Sequence, residues 1–175
     1  MATEAALTHE FLRVSRREFQ TNLAKIEKAV AKLTAEQVWT RKHEHENSIG
    51  NLLLHLAGNV RQWIISGVGG VADDRDRDAE FAQRESIAPE TLLARLRETL
   101  EEADSTLAAA ERLDLLEKRR IQVFEVTLMQ AIYHCVEHFS GHTGQIIWVA
   151  KNVSGEDLGF YRYLQDPNRP PKVEP

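Results

Sequence analysis

His134-Cys-Val-Glu-His138-Phe-Ser-Gly-His142-Thr-Gly-Gln145 sets three histidines four residues apart. Around them, Leu128, Ile132, Cys135, Phe139 and Ile146 recur at helical spacing, which predicts a helix over about 125–151 with these residues as its core seam. Cys135 reads as a small buried hydrophobe of that seam. His134, His138 and His142 flank the seam on one side, where side chains stack with Cβ atoms roughly 5–6 Å apart. Two imidazoles so placed reach one metal ion, because Zn–N bonds are about 2.0–2.1 Å long. Taken alone, the stretch fits hydrogen-bonded or surface histidines equally well. The rest of the chain has to decide.

Working outward, the same periodicity recurs three more times. Residues 4–33 read as one long helix, with Phe11, Val14, Phe19, Leu23, Ile26, Val30 and Leu33 on its apolar positions. Thr34 and Gln37 form a capping-box signature around a short turn at Trp39. A second helix is expected over 48–66, capped by Asn47 or Ser48 and ended by Gly67, Gly69 and Gly70, with Ile49, Leu53, Leu56, Val60 and Trp63 as its stripe. His55 lies beside that stripe, one turn from Asn51 and one from Asn59, a polar row that reads as the edge of a pocket. Gly58 leaves room for a close neighbour. Pro89 opens a third helix over 89–110 with Leu92, Leu93, Leu96, Leu100 and Leu107.

The connections differ in kind. Residues 41–47 are a polar loop, and His43 and His45 read there as solvated. Residues 67–88 make a connection long enough to let the second and third helices run parallel. Its charged run Arg75-Asp-Arg-Asp-Ala-Glu80 is read as pairing within itself, with Phe81 anchoring it, although a carboxylate cluster for metal is the other reading. Residues 111–123 connect onward, Arg119-Arg-Ile-Gln-Val as a short extended piece. An irregular tail fills 152–175, expected to be pinned by Tyr161 and Tyr163.

The chain has 175 residues, enough for one domain, and its formal charge of −5 is spread without a basic cluster, which argues against a nucleic-acid ligand. Its single cysteine excludes an internal disulfide. No apolar run reaches the ~20 residues that span a bilayer, and no signal-peptide pattern opens the sequence, so no membrane partner and a cytoplasmic location are expected. The fold expected is all-α: a four-helix bundle with the long crossover between helices two and three. If helices two and four face each other, His55, His138 and His142 converge. Three imidazoles and one open position describe a catalytic-type metal site rather than a closed structural one. The Glu-x-x-His pairs of a di-iron bundle and the His-Glu-x-x-His protease motif are both absent.

Asn47-Ser-Ile-Gly-Asn-Leu-Leu-Leu-His55-Leu-Ala-Gly-Asn59, taken with His138-x-x-x-His142-x-Gly-Gln145, resembles the DinB/YfiT-like superfamily over about residues 5–150. Arg75-Asp-Arg-Asp-Ala-Glu-Phe81 resembles an uncharacterised branch of it. The resemblance implies an up-down-down-up bundle, frequent dimers, and a divalent metal on His55, His138 and His142; imidazole ligands suit zinc or nickel. It also places a histidine like His134 one turn before the ligand pair, as a partner orienting His138, a pocket acid/base or a structural residue. The activities it implies are those of metal-dependent hydrolases and S-transferases that use mycothiol, bacillithiol or glutathione on a small electrophile. A stress-related metal-binding or interaction protein without turnover is the alternative. Arg61, Arg75 and Arg77 are candidates for a thiol cofactor's carboxylates, and Glu137 is expected in solvent. A homodimer is expected because Leu12, Phe19, Leu92 and Leu93 exceed one apolar stripe on their helices.

Overall fold

Apolar spacing of three and four along most of the chain produces helices. In the computed structural model, which describes residues 2–168, these are α1 (Ala2–Val30), α2 (Ala35–Val38), α3 (Ile49–Val60), α4 (Arg77–Ala82), α5 (Pro89–Ala109) and α6 (Leu128–Ser154). Strands β1 (Lys118–Ile121) and β2 (Phe124–Thr127) pair antiparallel as a hairpin. The protein is therefore mostly helical, as expected, and the hairpin is the departure from an all-α chain.

Local chemistry sets the boundaries. Thr34 and Gln37 form the expected capping box of α2. Ser48 caps α3, reciprocated by Asn51. The expected end of that helix at Ser66 is superseded: the chain continues beyond Val60 as a π-helix over Arg61–Val68, where the Gly69 amide donates to the Ile64 carbonyl at 3.0 Å. The segment 67–88 is more than a loop, since Asp76 caps α4 by accepting from the Ala79 amide at 2.9 Å. The last long helix starts at Leu128 rather than near 125, because the strand pairing runs to Thr127 and Thr127 with Gln130 forms a further capping box. It ends at Ser154, with Gly155 left-handed at φ 69°.

The core lies where α1, α3, α5 and α6 meet. α1 packs on α6 through Phe19 and Phe139, edge to face at 5.4 Å, and Lys32 pairs with Glu156 at 3.0 Å. α1 meets α5 and the turn just after it through Arg16–Asp104 and Glu27–Arg97, at 2.6 and 2.5 Å, and His9–Glu111, at 3.0 Å. On the other side Arg61 meets Glu102 at 2.7 Å, and a Cβ on Gly69 would lie 2.9 Å from Thr106. α3 is buried along its whole length and not only on its apolar stripe. The reason is α4, which covers Asn51 and His55, while Asn59 faces α6 through Cys135. The Asn51 amide nitrogen donates to the carbonyls of Glu80 at 2.9 Å and Gln83 at 3.1 Å. The polar row is thus buried between the crossover and α6 and is not the pocket edge expected.

Two further expectations change. Leu12, Phe19 and Leu92 are buried in the chain's own core and Leu93 packs against it, so they leave no second apolar face for a partner. Leu158 and Phe160 hold the tail against the core, with Phe160 under the Lys28 ammonium at 5.2 Å. Tyr161 and Tyr163 are exposed, and residues 169–175 of the expected tail lie outside those described. No described helix is long and apolar enough to cross a membrane.

Candidate metal centre

The geometry of the histidines follows from two helices with different faces available. His138 and His142 sit one turn apart on α6 beside the buried seam of Leu128, Ile132, Cys135, Phe139 and Ile146. α3 crosses that face: Asn59 accepts from the Cys135 thiol at 3.4 Å, and one turn earlier His55 reaches His138. The two Nε2 atoms are 3.2 Å apart. One ring nitrogen from each of His55, His138 and His142 lies within 4.8 Å of the other two. His55 is buried, the other two half-buried. Among the described residues this is the one group of three or more His, Cys, Asp or Glu placed to hold a metal ion.

The donor set fits such an ion. Two ligands at 2.0–2.1 Å from zinc and at a tetrahedral angle lie about 3.3 Å apart, close to the separation of the His55 and His138 nitrogens. Ligand nitrogens must be free of protons, and the site favours that. Burial, reinforced by the charges of His142, His55, His134 and Arg75, pulls His138 down to about 3. Burial also lowers His142, against the opposing effect of its hydrogen bond to Gln145. The Gln145 carbonyl Oε1 accepts from Nδ1–H of His142 at 2.7 Å, which leaves Nε2 as its bare nitrogen. The Nδ1 atom of His138 is buried with no hydrogen-bond partner among the described residues.

Behind His55 stands a group that the sequence reading left as a self-pairing loop. Glu80 Oε2 lies 2.9 Å from His55 Nδ1. Arg75 grips the same carboxylate with two bonds, Nε to Oε1 at 2.8 Å and Nη2 to Oε2 at 2.9 Å, and its side chain is only 2% exposed. The pairing within the charged run is as expected. Its burial and its grip on His55 are not. Burial by itself raises the Glu80 carboxyl, but Arg75 and His55 outweigh it and hold the group below the ordinary carboxylate range. Glu80 meets the ring on the nitrogen away from His138, so it backs the site rather than joining the three. The one legible signal was Gly58: a Cβ there would fall 1.8 Å from Glu80 Oε1, so the position has room only for hydrogen.

The remaining candidates fall around this centre. Phe81 covers His55 at 4.6 Å between ring centroids, and the Arg77 guanidinium lies over Phe81 at 4.8 Å. His134 packs against Trp63 with the rings tilted by 54° and centroids 4.3 Å apart, and its ring centroid is 5.8 Å from that of His138. Among the described residues no hydrogen bond joins His134 to the triad, so it does not orient His138 that way. His43, His45 and Glu137 are exposed as expected. Cys135 is fully buried, and burial pushes its thiol far up, out of range for a nucleophile at neutral pH.

A mostly helical protein with three convergent histidines, one of them backed by a buried carboxylate, is the class defined here. The chain belongs to the family described as "Protein of unknown function (DUF1572)", which it matches over residues 6–164. Comparison with curated proteins and with solved structures finds no match.

Proposed function

We propose that this chain is a DinB/YfiT-like four-helix bundle that binds one divalent metal, zinc or nickel, on His55, His138 and His142. In this reading it acts as a metal-dependent thiol S-transferase or hydrolase on a small electrophile. The observation that carries the proposal is the convergence of three ring nitrogens within 4.8 Å from two helices far apart in sequence. The up-down-down-up arrangement is supported by the order of the contacts. His9, Arg16 and Glu27 meet Glu111, Asp104 and Arg97 in reverse order, whereas Arg61 and Gly69 meet Glu102 and Thr106 in the same order.

A divalent ion held by imidazoles lowers the pKa of a bound water or thiol and presents it as a nucleophile. The chain's own residues prepare that position. Burial keeps His138 and His142 unprotonated, Gln145 fixes the ring of His142, and Phe81 screens His55 from water. Of the three arginines considered for a thiol cofactor's carboxylates, Arg75 is spent on Glu80 and Arg61 pairs with Glu102. Arg77, stacked over Phe81 beside the site, is the remaining choice.

A homodimer and a cytoplasmic location belong to the same proposal. Tyr133 and Trp148, 66% and 64% exposed on α6, offer the surface for a second copy. The alternative, metal binding without turnover, is favoured by one observation: the carboxylate nearest the triad, Glu80, sits on the far side of His55 and offers no base to a bound nucleophile. Metal analysis of protein purified without a polyhistidine tag is the first test. Turnover of a model electrophile with mycothiol, bacillithiol or glutathione, only when metal is present, supports the enzyme; hydrolysis without thiol supports the hydrolase arm. Metal bound at one ion per chain with no turnover of any of these leaves the alternative, and no metal bound refutes both.

A further inference from the structure

We propose that Glu80, held by Arg75, is the positioning residue of this centre: it fixes the ring of His55 and selects the tautomer that bares Nε2 toward His138 and His142. The inference rests on the metal-site reading for its ligand, but its structural part stands by itself.

Nδ1 of His55 has two neighbours that ask opposite things of it. Glu80 Oε2, at 2.9 Å, is an ionised oxygen that only accepts, so it requires a hydrogen on Nδ1. Arg75 Nη2, at 3.0 Å, only donates, so it requires a bare Nδ1 and hence a hydrogen on Nε2. The second tautomer blocks His55 as a ligand through Nε2. Glu80 resolves the conflict because its Oε2 also accepts from Arg75 Nη2, at 2.9 Å, which draws that donor to the carboxylate. A carboxylate behind a ligating imidazole both orients it and raises its basicity, and loss of such a partner commonly weakens metal binding 10–100-fold.

The surroundings hold Glu80 from every side. Its main-chain carbonyl is tied to Asn51. Its carboxylate fills the space left by the missing side chain of Gly58. Arg75 is in turn fixed by Gln62, whose Oε1 accepts from Nη1 at 2.9 Å and whose Nε2 donates to Asp73 at 2.6 Å. Gln122, at the hairpin tip with a left-handed φ of 55°, donates to the same Gln62 oxygen. The π-helical turn that carries Gln62 and the hairpin both end on this network, which joins five segments of the chain behind a single imidazole. A carboxylate needed only to neutralise Arg75 would not have to touch His55.

The experiment uses the full chain, with Glu80→Gln and a second variant, Arg75→Met with Glu80→Gln, which leaves no buried charge unpaired if the first fails to fold. Nitrogen-15 NMR of the metal-free protein at pH 8 reads the His55 tautomer, and competition with a chromogenic chelator reads affinity for Zn²⁺. The wild type should show hydrogen on Nδ1. Glu80→Gln should shift His55 toward hydrogen on Nε2 and weaken zinc binding by about 10–100-fold. The double variant should weaken binding to a similar degree. A His55 tautomer that is unchanged in a folded variant, or zinc affinity within about twofold of wild type in either one, overturns the role given to Glu80. If the wild type binds no zinc, the metal proposal fails, and the tautomer measurement on metal-free protein still decides the role of Glu80.

Discussion

Gly58→Ala tests the packing behind the site through the sign of its effect. In an ordinary helix interior, alanine is favoured over glycine by about 1 kcal/mol. At position 58 the new Cβ would lie 1.8 Å from Glu80 Oε1 and 3.0 Å from Arg75 Nε, where ordinary contact begins at 3.4 Å. The carboxylate must retreat by well over an ångström. It cannot do so and keep the bonds it makes to Arg75 and His55 at 2.8–2.9 Å. Breaking a buried pair of this kind costs about 3–5 kcal/mol. Against the helical gain, a net loss of about 2–4 kcal/mol is expected. For a chain of this size that corresponds to a fall in Tm of roughly 5–15 °C. Gly144→Ala is the control. Its position is exposed on α6 with nothing within 4 Å of the added Cβ, so that variant should gain up to about 1 kcal/mol. Thermal and urea unfolding of the metal-free proteins measure both. Equal stabilisation by the two substitutions would refute the placement of Glu80 against α3.

The other predictions concern the metal, protons and assembly. Replacing His138 and His142 together by alanine should abolish stoichiometric metal binding as measured by elemental analysis, while the apo-fold persists because Leu53, Leu56, Leu96, Leu100 and Phe139 are buried in a core formed without an ion. An exposed three-histidine site should lose metal as pH falls through about 6 and 5, since an unperturbed imidazole titrates near 6.5. Here burial lowers both His138 and His142, so the metal-dependent gain in Tm should be lost at a lower pH than at an exposed site; a loss between pH 7 and 6 would count against the burial of those rings. The sign for the metal-free protein is the opposite of a stabilising histidine pair. The unfolded chain takes up the His138 proton near pH 6.5 and the folded one only near 3, so apo stability should decline steadily as pH drops through that interval. Sedimentation should show a dimer at micromolar concentration that Trp148→Glu dissociates; a wild-type monomer would remove the dimer from the proposal.

Much of this was legible in the residues themselves. Apolar spacing marked the four long helices, and the capping pairs Thr34–Gln37 and Ser48–Asn51 marked two of their starts, because both signals depend on contacts within a few residues. The His138–His142 pair was equally local: four residues on a helix define one face. What pairing along the chain cannot specify is which face of α3 meets which helix, and there the tertiary structure decided. It brought His55 to 3.2 Å from His138, laid α4 over Asn51 and His55, and buried against His55 the Arg75–Glu80 pair that the charged run showed only as pairing within itself. It also spent Leu12, Phe19 and Leu92 inside the chain. A charged pair reads as surface in sequence because burying it is costly on its own; only the void at Gly58, the imidazole of His55 and the amides of Asn51 and Gln62 together make its burial possible.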